Sequence, residues 1–285
     1  MKNRAVLCTI LIVSLLFSAC ALPGCGAKSR KKDNDLPPDA GFSLESNIPD
    51  DKVRNWYEIF VWSFSDSDGD GIGDLKGLES KLDYVAELGF SGIWLMPVMP
   101  SPSYHKYDVT DYYAIDPQYG TMEDMRQMLA SAHEKGIRVI LDLPVNHSSD
   151  QHPWFISASS SADSPYRDWY VWSDTASNGF TERNGSWYES RFVSSMPDLN
   201  LDNPAVRDEI RNIMGYWLED VGVDGFRLDA VTSYYTGQLE RNLEFLTWLG
   251  DTAHAIAPEC FLVGEAWTDS GVLEDALRDS CRRRG

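Results

Sequence analysis

From Trp56 onward the chain alternates between short apolar runs and longer segments whose apolar residues recur every three or four positions. Short apolar runs between turn residues are typical of buried strands, and the longer spacing is typical of amphipathic helices. Strands that alternate with helices indicate βα units and a parallel sheet. The pattern predicts five strands, near residues 57–62, 92–96, 137–143, 223–228 and 261–264.

Four helices are predicted between these strands. The first ends at Gly89, and its apolar residues at helical spacing are Leu75, Leu78, Leu82, Val85 and Leu88. The second begins with Thr121 as N-cap and Asp124 three residues later, which is the pattern of a capping box. The third begins at Asn203-Pro204, a cap followed by proline at the first helical position, and the fourth spans about residues 238–257. The predicted buried stripe of the third helix is Val206, Ile210, Ile213, Met214, Trp217 and Val221.

The fold class predicted from this pattern is α/β, with about five of the eight βα units of a (β/α)8 TIM barrel. Residues 53–147 form the first part of the barrel, and residues 203–285 continue it. The segment 148–202 between them is too long for a structureless loop, so we expect a small inserted domain after the third strand. The run at 278–285 resembles a truncated or frame-shifted end.

The first 52 residues carry targeting features. Residues 1–20 combine a basic start with an apolar stretch and end in Leu16-Phe17-Ser18-Ala19-Cys20, which resembles the cleavage site of a bacterial lipoprotein. Cys20 is therefore the expected lipidation site, and Leu22-Pro23-Gly24-Cys25 is a second candidate, weakened by its proline. Residues 21–52 are expected to form a flexible tether, and the membrane is an expected partner. We expect an extracytoplasmic, cell-surface protein; the alternative is an ordinary secretory signal and a secreted protein.

Composition narrows the classes of partner. The chain has 285 residues, with 44 acidic and 25 basic side chains and a formal net charge of −19. That excess of negative charge repels nucleic acid but is compatible with a neutral ligand or with Ca²⁺. The cysteines form no motif typical of zinc or of a disulfide framework, and no protein partner is predicted.

Two acids close neighbouring predicted strands. Asp229 ends the run that contains Arg227, and Glu265 ends the next strand along the chain. Because the carboxyl ends of parallel strands meet at one edge of the sheet, the two carboxylates are expected side by side. Arg227 and Asp229 share a face of their strand, so the guanidinium is expected to keep the acid ionised, while apolar neighbours are expected around Glu265. This arrangement is typical of a glycosidase in which one acid is nucleophile and the other is proton donor.

Three segments in this order resemble the first signature regions of the α-amylase superfamily, glycoside hydrolase family 13. They are Asp142-Leu143-Pro144-Val145-Asn146-His147, Gly225-Phe226-Arg227-Leu228-Asp229-Ala230 and Gly264-Glu265-Ala266-Trp267. The similarity covers about residues 53–277. It implies a retaining glycosidase with Asp229 as nucleophile and Glu265 as general acid/base. It also implies a sugar-binding set made of Arg227, His147, Tyr107, Asp108, His105 and Asp142.

The family also uses a third carboxylate, in a His-Asp pair after a seventh strand. The printed sequence stops before such a strand, so the chain as printed is expected to be inactive or nearly so. This opens an alternative of another class, a non-catalytic glucan-binding lipoprotein derived from an amylase.

A second motif, at residues 66–74, offers four carboxylates at short spacing with glycines between them. Hard cations such as Ca²⁺ bind several oxygen ligands, which such a loop supplies. The segment resembles the loop after the first strand in the oligo-1,6-glucosidase-like branch of the superfamily. The resemblance implies a Ca²⁺ site with the ligands Asp66, Asp68, Asp70, Ile72 and Asp74, and a second calcium at Asn146.

Substrate preference follows from the same resemblance. The run Met196-Pro197-Asp198-Leu199-Asn200 is similar to a fifth region found in amylases intermediate between the oligo-1,6-glucosidase and neopullulanase groups. Ala230 is a small residue after the nucleophile, which in this branch goes with α-1,4 bonds, whereas Thr232-Ser233 replaces a Lys-His pair that often binds the next sugar. We therefore expect hydrolysis of α-1,4 bonds in starch-like glucans or maltooligosaccharides. The alternatives within the superfamily are oligo-1,6-glucosidase, neopullulanase and glucanotransferase.

Overall fold

A computed structural model describes residues 54–267. The signal segment 1–20 with Cys20, the tether 21–52 and the segment 268–285 lie outside the described residues. In chain order the described strands are β1 (Trp56–Ile59), β2 (Gly92–Leu95), β3 (Arg138–Leu143), β4 (Trp172–Ser173), β5 (Phe180–Arg183), β6 (Ser186–Glu189), β7 (Gly225–Leu228) and β8 (Phe261–Gly264). The described helices are α1 (Val61–Phe64), α2 (Leu75–Glu79), α3 (Leu82–Glu87), α4 (Met122–Glu134), α5 (Pro153–Ser160), α6 (Pro204–Gly215) and α7 (Leu239–Ile256).

Five strands form one parallel sheet in the order β1-β2-β3-β7-β8. All five strands that the pattern predicts are therefore present, and they are the neighbouring strands of an incomplete (β/α) barrel. Pairing is in register from strand to strand: Asp142 lies opposite Arg227, and Arg227 lies opposite Val263. Because register aligns the carboxyl ends of β3, β7 and β8, the residues that follow them meet at one edge.

The predicted caps of two helices are confirmed. The Thr121 hydroxyl accepts the Asp124 N–H at 3.2 Å, and the Asp124 carboxylate accepts the Thr121 N–H at 2.8 Å, so α4 begins with a complete capping box. The side-chain Oδ1 of Asn203 accepts the Ala205 N–H at 2.9 Å ahead of α6. A π-helical segment, Tyr216–Val221, extends α6, and the whole predicted stripe of this helix is buried.

Two sequence-based boundaries are wrong. The first strand ends at Ile59 rather than at residue 62, because the chain turns into α1, where the Ser63 N–H donates to the Phe60 carbonyl. The first predicted helix is two helices, α2 and α3. α2 ends at Glu79, and the hydroxyl of the next residue, Ser80, donates to the Gly77 carbonyl at 2.6 Å. The helical spacing of the apolar residues continues into α3 although the helix itself is interrupted. Leu88 lies past the end of α3 and is 49% exposed rather than buried.

The segment 148–202 forms α5, a short 3-10 turn and an antiparallel sheet in the order β4-β6-β5. Most of its tryptophans pack inward. Trp154 lies against Trp169 with ring centroids 4.7 Å apart, and Trp172 stacks on Phe155 at 5.9 Å. The Arg167 guanidinium lies 3.5 Å from the centroid of Trp172. These side chains form the interior of the segment, so at least three of its four tryptophans have a packing role.

Neither α7 nor any shorter helix between residues 54 and 267 combines the length and apolar character needed to cross a bilayer.

One buried histidine makes the stability of this fold pH-dependent. His152 is the N-cap of α5: its Nδ1 accepts the Trp154 N–H at 3.1 Å, which requires an unprotonated Nδ1. Burial lowers the pKa of His152 from 6.5 to about 3. The unfolded chain binds a proton between these two values and the folded chain does not. The contribution of His152 to the free energy of unfolding is therefore complete above about pH 6.5. It is lost as the pH falls, by about 1 kcal/mol per pH unit.

We expect His152→Asn to flatten this dependence, because asparagine keeps the cap and does not titrate. The free energy of unfolding, measured in urea at pH 7, 6, 5 and 4, should fall more steeply in the wild type than in the variant. The other buried histidine, His147, titrates in both proteins and cancels in the comparison. Parallel curves for the two proteins would show that His152 has no such role.

Candidate active site

Arg227, on β7, lies at the centre of a cluster of three carboxylates. Its Nη1 donates to Asp142 Oδ1 at 2.9 Å and to Asp229 Oδ1 at 2.6 Å, and its Nη2 contacts Glu265 Oε1 at 2.7 Å. The side chains of Arg227 and Asp142 are 6% and 0% exposed, so these ion pairs lie in the interior. One guanidinium thus gathers acids from the ends of three neighbouring strands.

Asp229 and Glu265 lie side by side. They bind different nitrogens of the same guanidinium, Asp229 at 2.6 Å and Glu265 at 2.7 Å. The Ala230 N–H also donates to Glu265 Oε2 at 3.3 Å. Ala230 has a positive φ of 51°, and this turn directs its amide back toward β8. The structure therefore brings together the two acids that the sequence places on adjacent strand ends.

Burial, not Arg227, has the larger effect on Asp229. Burial raises the pKa of Asp229 from 3.8 to about 6, although the charge and hydrogen bond of Arg227 lower it. Asp142 follows the same rule, since burial raises its pKa to about 7. The expectation that the guanidinium keeps Asp229 fully ionised is therefore wrong near and below pH 6. The desolvation cost of the buried carboxylate exceeds the attraction of the nearby cation.

The setting of Glu265 also differs from the expectation of apolar surroundings. Its side chain is 29% exposed and forms an ion pair with Arg227. Two of its apolar neighbours in sequence, Val263 and Trp267, are 40% and 79% exposed. β8 is the last strand of the sheet within residues 54–267, so no described strand covers its outer side.

Tyr107, His105 and Asp108 lie on the loop between β2 and α4. The Tyr107 hydroxyl donates to Asp142 Oδ2 at 2.9 Å, and the Arg227 guanidinium lies 5.9 Å from the centroid of the Tyr107 ring. The Tyr107 N–H donates to His105 Nδ1 at 3.2 Å. Asp108 is buried and accepts hydrogen bonds from the hydroxyls of Ser101 and Ser103.

His147 follows β3 and is 2% exposed. Burial lowers its pKa to about 4, so the imidazole is neutral at pH 7. Its Nε2 makes no hydrogen bond to any residue within 54–267 and is available as a partner for a ligand. Its ring lies 5.5 Å from that of Phe192 in an edge contact.

A cavity of about 650 Å³ opens above these groups. Its lining includes both neighbouring acids and three of the other predicted residues, namely Asp229, Glu265, Tyr107, His105 and His147. Arg227, Asp142 and Asp108 support the lining residues from behind and do not line the cavity. The residues that sequence reasoning assigned to one sugar site therefore divide into a lining set and a supporting set.

Two contributors were not found from the sequence. Trp94, on β2, donates its indole N–H to Asp142 Oδ2 at 3.2 Å, and the Arg227 guanidinium lies 5.0 Å from its ring centroid. Phe192, from the inserted segment, lines the cavity. The one feature of the sequence that could have pointed to Trp94 is its position in the strand, where it shares a face with Met96. No feature of the sequence pointed to Phe192 as part of the site.

The acidic loop at 66–74 brings three carboxylates together. Ligand oxygens of Asp66, Asp68 and Asp74 lie within 4.8 Å of one another. Backbone N–H groups donate to Asp66 and lower its pKa, so the group is ionised at neutral pH. Such a set of charged oxygens fits a hard cation such as Ca²⁺.

Two of the predicted metal ligands lie apart from this cluster. Asp70 is not a member of this cluster, and its Oδ1 accepts the Ile72 N–H at 2.7 Å. Asn146 is buried beside the cavity, where its Nδ2 donates to Asp198 Oδ1 at 3.0 Å. The structure thus joins three of the predicted ligands at the acidic loop and leaves Asp70 outside them, while Asn146, which was predicted for a second calcium, lies elsewhere.

The family described as "Alpha amylase, catalytic domain" matches residues 58–276, more than three quarters of the chain. The chain belongs to the α-amylase family. The family resemblance stated from the signature regions is thereby confirmed, and the homologues are glycosidases.

Among relatives, "Alpha-amylase 3" of Dictyoglomus thermophilum is 50% identical over 225 residues, which cover 78% of this chain and 45% of that protein. "Oligo-1,6-glucosidase" of Parageobacillus thermoglucosidasius is 45% identical over 192 residues, covering 61% and 34%. The solved structure of Eubacterium rectale Amy13B is 47% identical with a TM-score of 0.77, covering 80% of this chain and 46% of that one. The chain thus spans less than half the length of these α-amylase family members.

Proposed function

We propose that the full-length protein is a retaining glycoside hydrolase that cleaves α-1,4 bonds of starch-like glucans or maltooligosaccharides. The observation that carries this proposal is the pairing of Asp229 and Glu265 on one guanidinium at a cavity that could hold a sugar. Retaining glycosidases use two carboxyl groups about 5–5.5 Å apart, and two acids bound to neighbouring nitrogens of one guanidinium are compatible with that spacing.

In the proposed reaction, a carboxylate oxygen of Asp229 attacks the anomeric carbon while Glu265 donates its proton to the departing glycosidic oxygen. The sugar is then joined to Asp229 as an ester, and the rest of the glucan leaves as an alcohol. Glu265, now ionised, removes a proton from water, and the resulting hydroxide oxygen replaces Asp229 at the anomeric carbon. Both displacements invert the carbon, so the product keeps the α-configuration.

The other residues bind and orient the sugar. Arg227 holds the nucleophile, and Asp142 anchors both Arg227 and the Tyr107 hydroxyl below the sugar. Tyr107 presents its ring to the sugar in the cavity, and His105 stands beside it. His147 offers Nε2 to a sugar hydroxyl. Asp108 fixes the loop through Ser101 and Ser103.

The preference for α-1,4 bonds is supported by Ala230 and by the run at 196–200. A second candidate is α-1,6 hydrolysis, because relatives named "Oligo-1,6-glucosidase" and "Glucan 1,6-alpha-glucosidase" are 45% identical to this chain over the aligned residues.

The two candidates are distinguished by assaying the full-length protein on soluble starch and on isomaltose in parallel. Release of reducing sugar from starch supports the first candidate, and turnover of isomaltose alone supports the second. Binding of glucan without turnover of either would favour the non-catalytic binding protein.

Localisation is proposed from the sequence alone. Cys20 as the lipidated first residue of the mature protein would hold the enzyme at the outer face of a bacterial membrane through the tether 21–52. In the native host, Cys20→Ser should move the protein from the membrane fraction to the medium or the soluble fraction. Unchanged fractionation would contradict the anchor.

The acidic loop is the proposed Ca²⁺ site, with Asp66, Asp68 and Asp74 as ligands. The bound ion would supply structural cross-linking of the loop, not a chemical step. An ion that binds the folded state alone stabilises it by about 2.7 kcal/mol at one hundred times its dissociation constant. We therefore expect chelation of Ca²⁺ to lower the melting temperature by several degrees.

A matched pair of variants tests the ligand set. Asp68→Asn removes a proposed ligand charge, whereas Asp70→Asn makes the same chemical change two residues away, outside the cluster. We expect the rise of the melting temperature on adding Ca²⁺ to be lost in the first variant and kept in the second. An equal loss in both would restore Asp70 as a ligand.

A further inference from the structure

Lys106, which directly precedes Tyr107, is buried at 2% exposure. Lysine side chains are rarely enclosed in this way unless they are paired. Its Nζ donates to Asp116 Oδ2 at 2.7 Å and to Gln118 Oε1 at 2.9 Å. The Asp116 side chain is also almost fully buried, with 6% exposure. The lysine is therefore held by an enclosed ion pair rather than solvated at the surface.

Two aromatic rings complete this enclosure. The Lys106 Nζ lies 5.4 Å from the ring centroids of both Trp62 and Tyr119, within the range of a cation–π contact. Trp62 belongs to the segment after β1, and Tyr119 belongs to the segment before α4. The side chain thus joins the loops that follow two neighbouring strands.

The backbone of Lys106 is in the left-handed region, with φ of 67°. A residue other than glycine is strained in this region, so the surrounding contacts must hold it there. The consequence is local: His105 and Tyr107, on either side, both line the cavity, while Lys106 itself is enclosed behind them. Lys106 therefore combines a strained turn with the contacts that maintain it.

We infer that Lys106 is a positioning residue for the sugar site, which acts through Tyr107. The buried pair with Asp116 maintains the turn that keeps the Tyr107 hydroxyl on Asp142 Oδ2, at 2.9 Å. This inference rests on the proposed function for its effect on turnover. The effect of Lys106 on the position of Tyr107 can be measured whether or not the protein is active.

The test is a double-mutant cycle in the full-length protein. Lys106→Met should lower kcat/KM on a maltooligosaccharide by about tenfold or more when Tyr107 is present. In a Tyr107→Phe background the same change should alter kcat/KM by less than about twofold, because residues that act through one contact are not additive. Lys76→Met is the matched control: this lysine is 68% exposed in its pair with Asp124 and should leave kcat/KM unchanged.

A crystal structure of Lys106→Met supplies a measurement that needs no activity. We expect the Tyr107 hydroxyl to move beyond hydrogen-bond reach of Asp142. Should Lys106→Met fail to fold, Gln118→Ala removes one acceptor of Nζ, and the same cycle and structure apply to it. Additive effects together with an unmoved Tyr107 hydroxyl would overturn the inference. If no α-glucan is hydrolysed by the wild type, the proposed function fails, and the position of Tyr107 alone decides the role of Lys106.

Discussion

Asp229→Asn is expected to abolish hydrolysis by the full-length protein, with kcat reduced by at least about 10⁴-fold. Asparagine keeps the size of the side chain but lacks the anionic oxygen that would bond to the anomeric carbon. Its carbonyl oxygen can still accept from Arg227 Nη1, which holds Asp229 Oδ1 at 2.6 Å. The fold should therefore persist, and the loss should be chemical. Initial rates on soluble starch, with far-ultraviolet circular dichroism as a check of folding, make the measurement.

The matched control is Asp202→Asn, the same replacement at an acid that binds Arg241 and Tyr235 and does not line the cavity of Asp229. Its kcat should stay within about threefold of the wild type, because pairs exposed to solvent contribute little. Comparable activity of Asp229→Asn and wild type would remove Asp229 as the nucleophile.

The pH dependence of the wild type follows from the same group. Because burial raises the pKa of Asp229 to about 6, this carboxyl takes up a proton as the pH falls through that value and can no longer act as a nucleophile. The rate constant kcat/KM, which reports groups of the free enzyme, should therefore fall on the acid side with an apparent pKa near 6. An acid limb near the ordinary aspartate value of 3.8 would show that Arg227 outweighs burial.

Gly225→Ala is expected to cost roughly 2–4 kcal/mol of folding free energy and most of the activity. A Cβ at this position would lie 1.9 Å from the Phe261 carbonyl oxygen, and the backbone has φ of 150°, which side chains rarely adopt. The nearest atoms are backbone atoms of Phe261 in β8, so relief requires β7 and β8 to separate. Glu265 follows β8 directly, and its approach to Asp229 should be lost with the register.

Gly250→Ala is the matched control, since a Cβ there meets nothing within 4 Å and the residue lies inside α7. Alanine in a helix interior is favoured over glycine by about 1 kcal/mol, so this variant should be slightly more stable than the wild type. The free energy of unfolding of both variants and of the wild type, measured in urea, tests this prediction. A Gly225→Ala protein of wild-type stability would show that the β7–β8 pairing tolerates a side chain.

The strand ends were the part of the site that the sequence could predict. Apolar runs closed by Asp229 and Glu265 placed the two acids on adjacent parallel strands, and strand register alone then brings them to one edge. The spacing of Arg227 and Asp229 likewise determined a shared face. These features depend on local periodicity and on connections between neighbours in the chain.

Features that depend on distant packing were not predictable. The rise in the pKa of Asp229 depends on how completely the surrounding elements exclude water, which no local pattern states. The separation of Asp70 from the acidic cluster depends on how the loop folds in space, which the alternating spacing of its acids does not state. The enclosure of Lys106 depends on two rings and an acid from separate segments. A lysine between a histidine and a tyrosine would ordinarily be assigned to the surface.

In the proposed mechanism, Asp229 is the residue that becomes covalently joined to the sugar. A fluorinated α-glucosyl fluoride that slows the second displacement should trap that ester in the full-length protein. We predict that peptic digestion and mass spectrometry will show the added sugar on the peptide containing Asp229, and that the free product of normal turnover is first released as the α-anomer. An adduct on a different carboxylate, or initial release of the β-anomer, would contradict the account.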